Sequence, residues 1–96
     1  MAVAYKTPQA RRDIFEAFFQ IALDNIGASA SLKQRLEARL HTLADNPEMG
    51  VSRPEFGRTV RLFPFEQTYL IVYRPHRNGI ELLRFLHGAR QIEKLL

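Results

Sequence analysis

Gln67-Thr68-Tyr69-Leu70-Ile71-Val72-Tyr73-Arg74-Pro75-His76-Arg77-Asn78-Gly79-Ile80-Glu81-Leu82-Leu83-Arg84-Phe85-Leu86-His87 is the stretch whose reading decides the fold. Gln67 to Arg74 and Ile80 to His87 are rich in β-branched and aromatic residues and read as strands. Between them Asn78-Gly79 predicts a tight hairpin, because both residues tolerate the positive φ of a type I′ turn. Upstream, Thr59 to Phe65 is a further strand candidate. The segment Asn46 to Gly57 holds two prolines and two glycines in twelve residues, which makes it an ordered loop rather than a regular element.

The first half has a different period. Val3 to Lys6 reads as a short edge strand. Thr7-Pro8 then predicts a helix start, with Thr7 as N-cap and Pro8 at the first helical position, where its missing N–H is harmless. Phe15, Phe18, Phe19, Ala22 and Ile26 recur at helical spacing up to Gly27, a candidate C-cap, and Phe15, Phe18 and Phe19 are read with Tyr69 and Tyr73 as core. A second helix is expected from Ser29 or Ser31, with Leu32, Leu36, Leu40 and Leu43 as its apolar stripe and Asn46-Pro47 as its stop. Helices so close in sequence form an antiparallel hairpin. A short helix from Arg90 to Leu96 closes the chain. The result is an α+β fold in one domain, residues 1–96: an N-terminal strand, then a helical hairpin packed on a small antiparallel sheet, in the order β-α-α-β-β-β. The hairpin covers one face of the sheet; the other is expected to stay open for a partner.

Composition narrows the function. In 96 residues, 46% are apolar and 25% charged, as in ordinary globular domains. Without cysteine, disulfides, thiolate metal sites and thiol nucleophiles are excluded. No apolar run approaches the roughly 20 residues of a membrane span, and Met1 to Lys6 lacks a signal-peptide core, so a cytoplasmic protein is expected. The 14 Lys and Arg residues outnumber 10 acids, and eleven of the cations are arginine. Residues 1–48 hold six of each sign; residues 49–96 hold eight cations (Arg53, Arg58, Arg61, Arg74, Arg77, Arg84, Arg90, Lys94) against four acids. The whole excess of +4 thus sits in the second half, which suggests a basic face for a polyanion or an acidic protein.

On the last strand, alternation places Ile80, Leu82, Arg84 and Leu86 on one face and Glu81, Leu83, Phe85 and His87 on the other. An arginine among leucines either snorkels at a rim, is held by Glu81 or Glu66, or meets an anion together with Arg61 and Arg90. His87 titrates near neutrality and could act as an acid or base beside Glu81 or Tyr73, or simply bond to backbone at the strand end. His41 and His76 read as solvated. No metal-ligand spacing, phosphate-binding loop or cofactor motif is present, so neither cofactor nor metal is expected.

Four segments carry a resemblance to a known family: Tyr5 to Ile14; Asn46 to Gly50 with Arg53-Pro54-Glu55-Phe56-Gly57; Val60 to Phe65 with Tyr69 to Arg74; and the most specific, Gly79 to Arg90. Together they resemble the ParE branch of the RelE/ParE superfamily of toxins from type II toxin–antitoxin modules. The resemblance implies a toxin, not itself an enzyme, that inhibits DNA gyrase by trapping its DNA-cleaved complex. It also implies a cognate ParD-like antitoxin that lays an amphipathic helix and an extended segment across the toxin in a hetero-oligomer, with no sequence-specific DNA binding by the toxin alone. The basic half, with Arg61, Arg74, Arg84, His87 and Arg90 as the expected target-binding face, would meet an acidic antitoxin, the gyrase–DNA complex, or each in turn. The alternative on the same fold is a RelE-like mRNA endonuclease acting on the ribosome. Leu70, where such enzymes tend to carry an arginine, and the ending Ile92-Glu93-Lys94-Leu95-Leu96, without their tyrosine, depart from that pattern. A non-toxic interaction module would lose its basic face, whereas Arg61, Arg74, Arg84 and Arg90 are all present.

Overall fold

Thr7 does open the first helix. Its backbone is extended, its Oγ1 accepts the N–H of Ala10 at 3.1 Å, and Pro8 begins helix α1 (Pro8–Asp24). These relations come from a computed structural model that describes residues 2–95, and within them every side chain except those of Ala89, Arg90, Glu93 and Lys94. Helix α2 (Ile26–Asp45) starts earlier than the serines suggest, because Asn25 ends α1 and caps α2, its Oδ1 accepting the Ala28 N–H at 2.9 Å. Gly27 therefore lies inside α2. Ser29 is buried instead of capping, its hydroxyl donating to the Phe18 carbonyl across the hairpin at 3.0 Å.

The strands are β1 (Val3–Lys6), β2 (Val51–Ser52), β3 (Arg61–Phe65), β4 (Tyr69–His76) and β5 (Gly79–Leu86), in the sheet order β1-β5-β4-β3-β2. Strands β3 to β5 alternate in direction as expected, β2 adds an antiparallel edge within the segment read as a loop, and β1 pairs with β5 in parallel, so the sheet is mixed. A parallel partner requires a crossover, and here the two helices supply it. The hairpin turn also sits one residue earlier than its sequence signal. His76 pairs with Gly79, leaving Arg77 and Asn78 as the loop, with Arg77 at φ 45°. Gly79 is needed inside β5 for a different reason: a Cβ there would stand 1.9 Å from the Val3 carbonyl oxygen, so only glycine lets β1 come alongside.

A bulge breaks the expected alternation along β5. Arg84 pairs with Val72 but Leu82 pairs with Tyr73, leaving Leu83 as an extra residue. Ile80, Leu82 and, past the bulge, Phe85 therefore join the core under the helices, with Leu36, Leu40, Leu43, Phe65, Ile71 and Tyr73. Leu83 and Leu86 turn to the opposite face. That face is not open: Val60, Leu62, Val72 and Leu86 form a second buried cluster there. Phe56 of the 3₁₀ turn Pro54–Phe56 packs on it, as do Ile92 and Leu95 of a 3₁₀ turn (Ile92–Leu95) that follows helix α3 (Gly88–Gln91). The chain's last turns thus cover apolar sheet surface that the element order had left without a cover.

Candidate docking surface

Among the described residues, most of the large apolar side chains left uncovered lie on α1 and at its joint with α2, with Met49 and Val51 exposed elsewhere. From Ile14 to Asp24, eight of eleven residues are apolar, too many for one stripe against a core. Ala10 and Phe18 are buried, with Ile14, Ala17 and Ile21 packed beside them. Phe15, Phe19 and Leu23 face outward with 68%, 51% and 67% of their surface exposed, and Ile26 at the hairpin joint with 78%. Phe15 and Phe19 stack one helical turn apart, ring centroids 5.8 Å from each other. Reading Phe15, Phe18 and Phe19 all as core is therefore corrected. Only Phe18 goes in, because the helix has one buried face.

Beside this row runs a groove of about 600 Å³. One wall is α1, with Asp13, Glu16, Ala17, Gln20, Ile21 and Asp24; the other is Tyr69, Phe85, His87 and Gln91. Its aromatic floor is well ordered by packing. Tyr69 stacks on Phe85 at 4.8 Å and 17°, and Phe85 also meets Phe18 and Phe65. Burial pushes the Tyr69 phenol above its ordinary pKa, so it stays neutral and donor-capable.

Asp13 fixes α1 against the sheet. Beyond Leu82, β5 loses its partner β1, and its backbone would be left unpaired. Thr7 Oγ1 donates to the Leu83 carbonyl, and Asp13 accepts the Phe85 N–H at 3.0 Å. The same carboxylate takes a two-pronged bond from Arg84, at 2.7 and 3.1 Å, and only 9% of the Asp13 side chain is exposed. These bonds, with the Asp13 and Glu16 charges, hold the Arg84 guanidinium above its usual pKa despite some desolvation.

Of the five expected target-binding residues, the four whose side chains are described are each engaged with a different partner and do not form one cluster. Arg61 donates to the Glu48 and Gly50 carbonyls, at 3.1 and 2.7 Å, and so ties the loop before β2 to β3. Tyr73 reinforces that loop from below, accepting the Gly50 N–H and donating to the Pro47 carbonyl. Arg74 pairs with Glu81 at 2.7 Å. Arg84 is held by Asp13, a residue outside the two carboxylates the sequence suggested, Glu81 and Glu66; Glu66 instead pairs with Arg35. His87 lies at the groove, its ring edge-on to Tyr69 at 5.6 Å, with a buried Nδ1 that has no hydrogen-bond partner among the described residues. The Arg90 side chain falls outside the described residues. Among the described residues no group of three or more His, Cys, Asp or Glu could hold a metal ion.

Sequence reasoning missed Asp13 and the outward row of α1, whereas Tyr69, read as core, does pack against the core. The width of the apolar band on α1 was the available signal for that row. Asp13 had none, since its partner is 71 residues away.

A two-layer α+β domain with an uncovered apolar helix face beside a groove belongs to the class of protein-docking modules. Residues 5–92 match the family model for the ParE toxin of the parDE type II toxin–antitoxin system, and the chain belongs to that family. A solved chain from the chromosomal ParDE TA system of P. aeruginosa has a similar fold, with a TM-score of 0.68 and 21% identity over 91% of this chain and 96% of that one. No curated protein matches.

Proposed function

We propose that this toxin arrests growth by binding DNA gyrase and trapping its DNA-cleaved complex, and that a cognate antitoxin neutralises it by docking on α1 and the adjoining groove. The observation that carries a binding role over RNA cleavage is the engagement of the arginines. Cleaving a phosphodiester needs cations converging on one phosphate with a proton-transfer group beside them. Here Arg61 is bonded to loop carbonyls, Arg74 to Glu81 and Arg84 to Asp13, each on a different element pair. We assign the contact with the gyrase–DNA complex to the basic second half of the chain, which holds eight of the fourteen cations, Arg61, Arg74 and Arg90 among them. Arg84 and His87 belong with the groove. Such a target would place the protein in the cytoplasm.

A supercoiling and cleavage assay with purified protein, gyrase, ATP and plasmid tests the reading. Linear DNA should accumulate only when gyrase is present. Folded protein that leaves gyrase unaffected would overturn it, and ribosome-dependent mRNA cleavage would then be the activity to measure.

A further inference from the structure

Among the described residues, the charge of the α1 groove has the opposite sign to that of the molecule. The chain carries +4 overall, yet the charged side chains lining the groove at α1 are Asp13, Glu16 and Asp24. Asp13 is neutralised by Arg84. Glu16 and Asp24 are exposed and have no ion-pair partner among the described residues. Among the described residues, the remaining groove residue that can carry charge is His87. Arg11 and Arg12 precede Asp13 on α1 and are not among the groove's lining residues.

The occupant's backbone shape also follows from the site. An added strand needs a free sheet edge, and β5's edge beside the groove is closed by the Asp13 and Thr7 bonds to Phe85 and Leu83. Phe15, Phe19 and Leu23 stand four residues apart, a row of about 12 Å along the helix axis. A row with that spacing is met by the apolar stripe of another helix, over about eight of its residues.

We infer that the segment seated on this surface is an amphipathic helix whose apolar stripe is bordered by lysine or arginine, set to meet Glu16 and Asp24, and not an acidic helix as the toxin's net charge would suggest. This rests on the reading of the surface as the antitoxin's docking site and specifies the chemistry of that partner.

Two labelled helical peptides test it, identical in a leucine stripe and differing only in having Lys or Glu at the bordering positions. Their binding to the full-length toxin is followed by fluorescence anisotropy at low and high salt. The Lys peptide should bind roughly fivefold to tenfold more tightly at low salt, since each exposed ion pair contributes little, and the gap should narrow as salt screens it. The double variant E16K/D24K should reverse the preference, and Phe19→Ser should weaken both peptides. Equal binding, preference for the Glu peptide, no binding of either, or indifference to E16K/D24K would each overturn the inference. The gyrase assay reads toxicity without any antitoxin, so a failure there is separable from a failure of the peptide preference.

Discussion

At the scale of single residues, Asp13 has the largest structural role for its size. One carboxylate closes the β5 edge, pairs Arg84 and holds α1 in place. Breaking a largely buried pair leaves the other charge uncompensated. Asp13→Ala should therefore destabilise the fold by about 3 kcal/mol in urea unfolding, and Arg84→Met by less, since the Phe85 N–H would still bond the carboxylate. A loss below about 0.5 kcal/mol for Asp13→Ala, the range of ordinary surface changes, would show the clamp to be incidental. Because α1 carries the docking row, Arg84→Ala should lower toxicity and antitoxin binding together, whereas Arg90→Ala should lower toxicity alone. Tyr73 supplies a pH signature. Burial raises its pKa above the ordinary 10.0, outweighing the Gly50 bond and the Arg61 charge, which lower it. The folded state keeps a proton that the unfolded chain releases, so this contribution is intact below the ordinary tyrosine value and is lost as pH climbs through the raised one. Tyr73→Phe should shallow the alkaline decline in stability; an unchanged profile would remove Tyr73 from the account.

At the scale of elements, two turns carry strain that sequence signals did not locate. Glu66 and Gln67 follow β3 with φ of 55° and 60°, and Arg77 follows β4 with φ of 45°. An L side chain in this region costs about 1–2 kcal/mol, part of which glycine recovers against its greater unfolded entropy. Gln67→Gly should thus raise the thermal midpoint modestly, and a fall would mean that the Gln67 side chain contributes more than its backbone costs. Gly79→Ala should do the reverse and more strongly, pushing β1 away from β5. Hydrogen exchange should then accelerate at the β1–β5 pairs while the β3–β4 pairs stay protected. The hairpin signal Asn78-Gly79 was real in kind but misplaced by one residue. Local rules see a glycine as a turn former, whereas here its missing Cβ is used by a strand that arrives from the far end of the chain.

At the scale of the whole molecule, what matters is which apolar surface is left over. Both faces of the sheet are covered, one by the helical hairpin and the other by the Pro54–Phe56 turn and the C-terminal turns. Most of the surplus lies on α1 and at its joint with α2, with the groove beside it. Since Phe15 and Phe19 are mostly exposed, the double change Phe15→Ser with Phe19→Ser should leave unfolding stability within about 0.5 kcal/mol. It should nonetheless abolish rescue of growth by a co-expressed antitoxin. Rescue at the wild-type level would place the antitoxin elsewhere.

The sequence by itself determined the two long helices and four of the five strands in their order, while β2 lay in the segment read as a loop. Helical and two-residue periodicities, the Thr7 cap and the turn residues are local properties, and family-specific segments from Tyr5 to Arg90 could be recognised as they stand. It did not determine which arginines are free, which face of the sheet is covered, or which side of an apolar-rich helix looks outward. Those outcomes depend on pairs remote in the chain: Asp13 with Arg84, Val3 with Gly79, Leu95 with the far face of the sheet. Only tertiary packing decided them, because charge pairing and apolar burial respond to distance in space and not to distance along the chain.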